Sequence, residues 1–164
     1  LYDIYISKYK INTRENKEIF INMKEFKKGN VFEGRDYVDM INHTLGTKYR
    51  GWFRASVLLE EMGLKDHMAW FVFINDETHG SLNWAWQNTM YSDGTIVEKC
   101  VRDSDDKFIS DTAKYPSRRL VFKRDPDGDG SFYKCKFLGV CKLVGVDNKA
   151  KTRTLKLIAD EIEW

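Results

Sequence analysis

AWFVFINDETHGSLNWAWQNTMY, residues 69–91, holds the features around which the rest of the chain can be arranged. Ala69 to Ile74 is a continuous apolar run with the length and β-branched or aromatic make-up of a buried strand. A turn-forming cluster from Asn75 to Ser81 follows, and a second extended run carries Trp84 and Trp86. Two residues apart on a strand, those indoles share one face, and Ala85 and Gln87 take the other. Paired tryptophans on a strand can simply fill a core. Here Gln87 and Asn88 place amide donors and acceptors directly beside the flat aromatic surface. Stacking plus edge hydrogen bonds is the chemistry that holds a planar heterocycle.

The chain has 164 residues, enough for one domain with its own hydrophobic core. An apolar fraction of 42% and a charged fraction of 32% describe a water-soluble globular protein, and the aromatic share of 14% suits a β-rich fold or a stacking surface. No apolar run has the length of a membrane span and no signal peptide is visible, so the expected setting is cytoplasmic, without a membrane partner. The first residue is Leu1 rather than Met, as expected for a processed or excised piece of something larger. Three cysteines, Cys100, Cys135 and Cys141, match no zinc spacing and leave one unpaired under any disulfide scheme. They read as reduced structural thiols, and no metal and no cofactor are expected.

Outward from the central stretch, Tyr2 to Lys10 alternates as a strand, and Ile19 to Ile21 suits a short return strand. Gly34 to Leu45 has helical spacing and ends at Gly46, a plausible C-cap. Ala55 to Met62 reads as a second short helix, ended by Gly63. Ile96 to Val101 reads as a strand, Arg102 to Asp106 as a charged loop, Arg118 to Arg124 as a basic strand, Phe132 to Val146 as further extended chain, and Thr152 to Ile158 as the closing strand. The DPDGDG run from Asp125 to Gly130 superficially resembles half of a calcium loop. Its twelfth position is Lys136, which cannot supply the bidentate carboxylate, so a hairpin turn is expected.

Net charge is only +2, but its distribution is uneven. From Thr112 to Leu143 there are eight basic residues against three aspartates, enough to follow a phosphate backbone. Lys48 to Arg54 alternates aromatic and basic residues around Gly51, a composition that suits a loop touching phosphate and base; entry of Trp52 and Phe53 into the core is the alternative. For catalysis there is no Gly-x-Ser-x-Gly elbow, no phosphate-cradling Gly-x-x-x-x-Gly-Lys loop and no His-Glu-x-x-His zinc helix. Asp105-Asp106-Lys107 formally matches half of a metal-dependent nuclease site, but in a polar run rather than on an apolar strand. A binding module, not an enzyme, is the expectation.

Three segments in order carry a family resemblance. Leu82-Asn83-Trp84-Ala85-Trp86-Gln87-Asn88 resembles the hydrophobic-His-Trp-x-Ser-Gln-Asn signature of PUA-like (SRA/EVE-like) domains at the C-terminal end of helicase-type, modification-dependent restriction enzymes. Arg119 to Arg124 is similar to that family's Leu-Phe-Val-Arg strand, and Phe137-Leu138-Gly139-Val140 to its Phe-x-Tyr-Leu-Gly strand. Asn83 stands where the family has His and Trp86 where it has Ser. The likeness covers residues 69–160, with residues 1–65 matching loosely. It implies an α+β, mostly β fold: a single PUA-like, partly open β-barrel with two short capping helices. It also implies a specificity module that flips a modified base, such as 5-methylcytosine in duplex DNA, into an aromatic pocket for restriction or phage defence. Fusion to helicase or nuclease domains is part of that implication, and RNA is the alternative nucleic acid. Candidate base-binding residues are Trp84, Trp86, Gln87, Asn88 and Tyr91, with Tyr49, Trp52 and Asp76. Candidate backbone contacts are Arg50, Arg54, Arg118, Arg119, Lys123 and Arg124. The reading from another class is a protein- or RNA-interaction domain of a larger defence protein, with tryptophans in the core and no base pocket.

Overall fold

Alternation of apolar and polar residues sets most of the architecture. A computed structural model describes residues 23–51, 55–75, 86–125 and 133–164. The strands are β1 (Glu25–Lys27), β2 (Val31–Gly34), β3 (Ser56–Leu58), β4 (His67–Val72), β5 (Trp86–Met90), β6 (Ile96–Cys100), β7 (Arg118–Arg124), β8 (Tyr133–Asp147), β9 (Thr152–Ala159) and β10 (Glu161–Glu163). Among the described residues there are also two helices, α1 (Tyr37–Leu45) and α2 (Asp105–Lys114), and a 3₁₀ turn at Glu60–Met62. The fold is thus α+β and mostly β. The strands expected before residue 22 and the DPDGDG turn after Asp125 lie outside the described residues.

The main sheet runs β3-β4-β7-β8-β9-β6-β5, with β2 added to β8, while β1 and β10 pair separately. β4 and β7 are parallel and central, joined in register from His67↔Arg118 to Val72↔Lys123. Both are covered on two faces, as parallel pairs usually are. Ala69, Phe71, Leu120 and Phe122 enter one core with Met40, Ile41 and Leu45 of α1. Met68, Trp70, Val72 and Val121 enter a second with Ile96, Cys141 and Leu155. In the first, Phe71 stacks on Phe122 with centroids 4.8 Å apart, and Phe26 meets Phe122 edge-on at 5.2 Å.

Three expectations change here. Strand pairing does not close the sheet into a barrel: among the described residues, the end strand β5 meets the other side of the sheet at a parallel bridge, Thr89↔Asn75, just past β4. Ala55 to Met62 is no helix, because Val57 and Leu59 are buried while Leu58 between them is exposed, a period of two that makes β3. The second helix lies instead at α2, which starts at the end of the expected charged loop, Arg102 to Asp106, and runs on to Lys114. Ser104 caps it, its Oγ accepting from the Lys107 N–H, and Phe108 is its only buried residue. By contrast α1 follows its periodicity, with Asp36 as N-cap and Gly46 left-handed at its end.

Gly139 of β8 pairs with Val121 next to a bulge at Leu138 in the pairing with β7, and the register of β8 on β9 shifts just beyond it, between Val140 and Cys141. Its φ is +133°, and an added Cβ would stand 2.5 Å from Leu157 Cδ1 and 2.6 Å from the Ala159 carbonyl oxygen. Backbone strain and overpacking then add, so Gly139→Ala is expected to cost about 3 kcal/mol. A urea midpoint lowered at unchanged slope checks this; an unshifted midpoint would show that the bulge yields freely.

Candidate nucleic-acid interface

The site grows from three neighbouring strands in register. Asn88 on β5 pairs with Glu98 on β6, and Glu98 pairs with Arg153 on β9. Directly opposed residues share a sheet face, so their side chains form one row. Trp86 lies two residues before Asn88 on that same face of β5. Across the curled sheet, Trp70 of β4 and Arg119 of β7 are turned toward the row, and all six line one cleft of about 400 Å³.

Its floor is a buried charge cluster. Glu98 Oε1 accepts from Arg153 Nη1 at 2.7 Å and from Arg119 Nη1 at 3.1 Å, with all three residues at most 5% exposed. Arg153 is further held by α2: its Nε donates to Thr112 Oγ1 at 2.8 Å and its Nη2 to the Phe108 carbonyl at 3.3 Å. Its guanidinium also lies 4.4 Å from the Phe108 ring and 5.3 Å from the Trp86 ring, while Arg119 stands 4.7 Å over Trp70. One carboxylate therefore serves two buried cations. Such a cluster persists only where hydrogen bonds satisfy most of its donors.

Two cleft groups are left over. Arg119 Nε and Asn88 Oδ1 are buried and have no hydrogen-bond partner among the described residues, although Asn88 Nδ2 donates to the Phe73 carbonyl at 3.1 Å. A buried donor and a buried acceptor left unpaired each cost free energy that a polar ligand would recover. On the α2 side the cleft is lined by Asp103, Lys107, Asp111 and Tyr115, with Lys107 paired to Asp103 at 2.9 Å. Asp105 and Lys107, the formal nuclease pair, thus sit in the first turn of α2. No group of metal-ligating residues occurs among the described residues.

Of the expected base-binding residues, Trp86 and Asn88 meet in the cleft. Gln87 takes the other face of β5. Tyr91 is exposed just past β5, its N–H donating to the Thr95 carbonyl at 2.9 Å. Tyr49 is exposed in the segment after α1, its backbone tied to Asn42, and neither it nor Arg50 lines the cleft. Trp52, Arg54, Asp76 and Trp84 lie outside the described residues.

The basic strand is divided rather than continuous. Arg119, expected as a surface contact to phosphate, is buried in the cleft because its position on β7 points into the second core. Arg118 and Lys123 lie on opposite faces of β7, each directly across from another cation, Lys142 and Lys136. Like charges so placed repel and favour an anionic neighbour. Arg124 packs over Tyr37 and Phe73. Burial pushes the Cys135 and Cys141 thiols up to about 11, so both are neutral core groups at physiological pH.

Glu98, Arg153 and Trp70 escape a reading of motifs. A period-two pattern does mark the first two: Ile96, Glu98 and Cys100 are the inward set of β6, and Arg153 and Leu155 that of β9. A charge on an otherwise apolar face is the signal, since such residues are seldom buried without a partner.

No protein-family model matches the chain, and no curated protein matches it. Among solved structures it is similar to the 5-hydroxymethylcytosine-specific restriction enzyme AbaSI, with a TM-score of 0.61 and 23% identity. The match covers 97% of this chain and 49% of that one. The chain thus shares a fold with about half of a restriction enzyme for modified cytosine. No described helix is long and apolar enough to cross a membrane.

Proposed function

We propose that residues 1–164 act as one DNA-binding specificity module that takes a modified cytosine out of the duplex and reads it in the cleft. The observation that carries this is the pair of unpartnered buried groups, Asn88 Oδ1 and Arg119 Nε, in a cleft walled by Trp70 and Trp86. An acceptor and a donor linked through Glu98 complement the edge of cytosine, which offers an exocyclic amino group beside ring and carbonyl acceptors. The likeness to AbaSI supports a restriction-related setting. Extruding the base costs a few kcal/mol, offset by stacking of about 1–3 kcal/mol on an aromatic ring and by phosphate contacts. The like-charged cross-strand pairs Arg118–Lys142 and Lys123–Lys136 supply part of those contacts. Cleavage, in this reading, belongs to another part of the system, and the module binds without a cofactor.

Fluorescence anisotropy against duplexes of one sequence, carrying cytosine, 5-methylcytosine or 5-hydroxymethylcytosine at one position, tests this. One modified duplex is expected to bind roughly 10-fold more tightly than the unmodified one at equal salt, because its 5-substituent makes one contact in the cleft that the shared edge of cytosine does not supply, a hydrogen bond in the case of the hydroxymethyl group. Equal affinity for all three, or tighter binding of the matching RNA, would reject the base-reading cleft.

A further inference from the structure

Arg124 ends β7 and lines the same cleft as Arg119, from the opposite face of the strand. Its guanidinium carbon lies 4.1 Å from the centroid of Tyr37 and 4.2 Å from that of Phe73. Tyr37 opens α1 and Phe73 directly follows β4, so elements already anchored in the core set the position of both rings. Guanidinium–ring contact at such distances uses the flat face of the group. The in-plane N–H donors then remain as its polar outlet, and they meet no ion-pair or hydrogen-bond acceptor among the described residues.

This cation is partly desolvated, and no described residue supplies it with a counter-charge. Burial lowers its pKa from the ordinary arginine value, and the neighbouring Tyr37 hydroxyl and Cys135 thiol are themselves pushed up by burial, so neither supplies a negative charge at physiological pH. Arg119 and Arg153 differ, since both have Glu98. Fixed orientation, partial burial and an unanswered fork of donors together describe a receptor for an oxyanion that presents two oxygens side by side.

We propose that Arg124 is a phosphate clamp, gripping two non-bridging oxygens of the DNA phosphodiester next to the nucleotide whose base enters the cleft. This rests on the DNA-binding reading above and assigns that site its backbone register. The clamp holds one phosphate and reads no sequence, whereas Asn88 and Arg119 read the base. Tyr37 and Phe73 act as positioning residues, because they keep the guanidinium from rotating away.

The test measures wild type, Arg124→Gln and Arg124→Lys against modified and unmodified duplexes between about 50 and 200 mM salt. A further pair of duplexes carries one neutral methylphosphonate linkage, 5′ or 3′ of the modified base. Arg124→Gln is expected to weaken both duplexes by roughly 10-fold, to leave their ratio unchanged and to reduce the salt slope by about 0.9. Arg124→Lys should keep the slope and lose part of the affinity, since a point charge lacks the fork. One methylphosphonate should weaken wild type by the same factor and leave Arg124→Gln unaffected. Melting curves confirm that the variants are folded; if the glutamine variant is not, the lysine variant with the methylphosphonate pair decides. Wild-type affinity in a folded Arg124→Gln overturns the clamp, as does an equal methylphosphonate loss in wild type and variant. A changed preference between duplexes would make Arg124 a reader of the base and also overturn it. Wild type that binds both duplexes equally rejects base reading alone, because the slope and methylphosphonate results are then read on unmodified DNA.

Discussion

Replacing Glu98 by alanine is expected to destabilise the protein by roughly 3–5 kcal/mol, because it leaves two guanidiniums buried without a carboxylate. For a chain of this size that lowers Tm by roughly 6–20 °C, and it removes much of the typical stability of about 5–15 kcal/mol. Arg119 Nη1 and Arg153 Nη1 share the same Glu98 oxygen, and neither makes an ion pair with another carboxylate among the described residues. A companion variant separates fold from function. Glu98→Leu with Arg119→Met and Arg153→Leu exchanges the whole cluster for apolar groups, a change that is often neutral or stabilising. It is expected to recover most of the lost Tm while selectivity for a modified base disappears. A thermal melt and an anisotropy titration on the same two proteins check both halves. A triple variant that is stable and still selective would show the cluster to be structural only. A Tm unchanged in Glu98→Ala would show that water reaches the cluster.

Trp86→Ala is expected to behave in the opposite way. Trp86 is only half-buried and begins β5, an edge strand of the main sheet. Among the described residues its ring meets the Arg153 guanidinium at 5.3 Å, a contact worth about 0.5–2 kcal/mol, so the fold should survive its loss. Binding should not, if the ring supports an extruded base: loss of about 1–3 kcal/mol of stacking weakens the modified duplex by about 5- to 150-fold. Trp86→Phe should restore most of that. A Trp86→Ala protein with unchanged Tm and unchanged selectivity would remove Trp86 from the site. One that unfolds would place the indole in the core, as paired tryptophans on a strand permit.

Much of the fold is determined by sequence alone, wherever one element repeats its pattern along its own length. β7 runs from Arg118 to Arg124 as its alternation requires, α1 stops at the glycine that tolerates a left-handed backbone, and the run from Ala69 becomes a strand buried on both faces. Local period fails where few residues carry it. α2 shows one buried side chain, Phe108, in ten residues, which is too little to distinguish a helix from a charged loop. β3 is three residues long, and its apolar composition suits a helix until the exposure of Leu58 between Val57 and Leu59 settles it. Of the expected site, Trp86 and Asn88 are legible because they are two apart on a single strand. The rest of the cleft is a product of pairing between strands distant in sequence. Glu98 meets Arg119 and Arg153 across 21 and 55 residues, and only the register of β6 on β9 and the curl of the sheet bring them together. Tertiary structure alone likewise splits the basic strand. Consecutive residues of a strand point to opposite faces, so a run of arginines reads as one patch in sequence. In space it becomes a buried ion cluster at Arg119, an exposed cation at Arg118 and a ring-held guanidinium at Arg124.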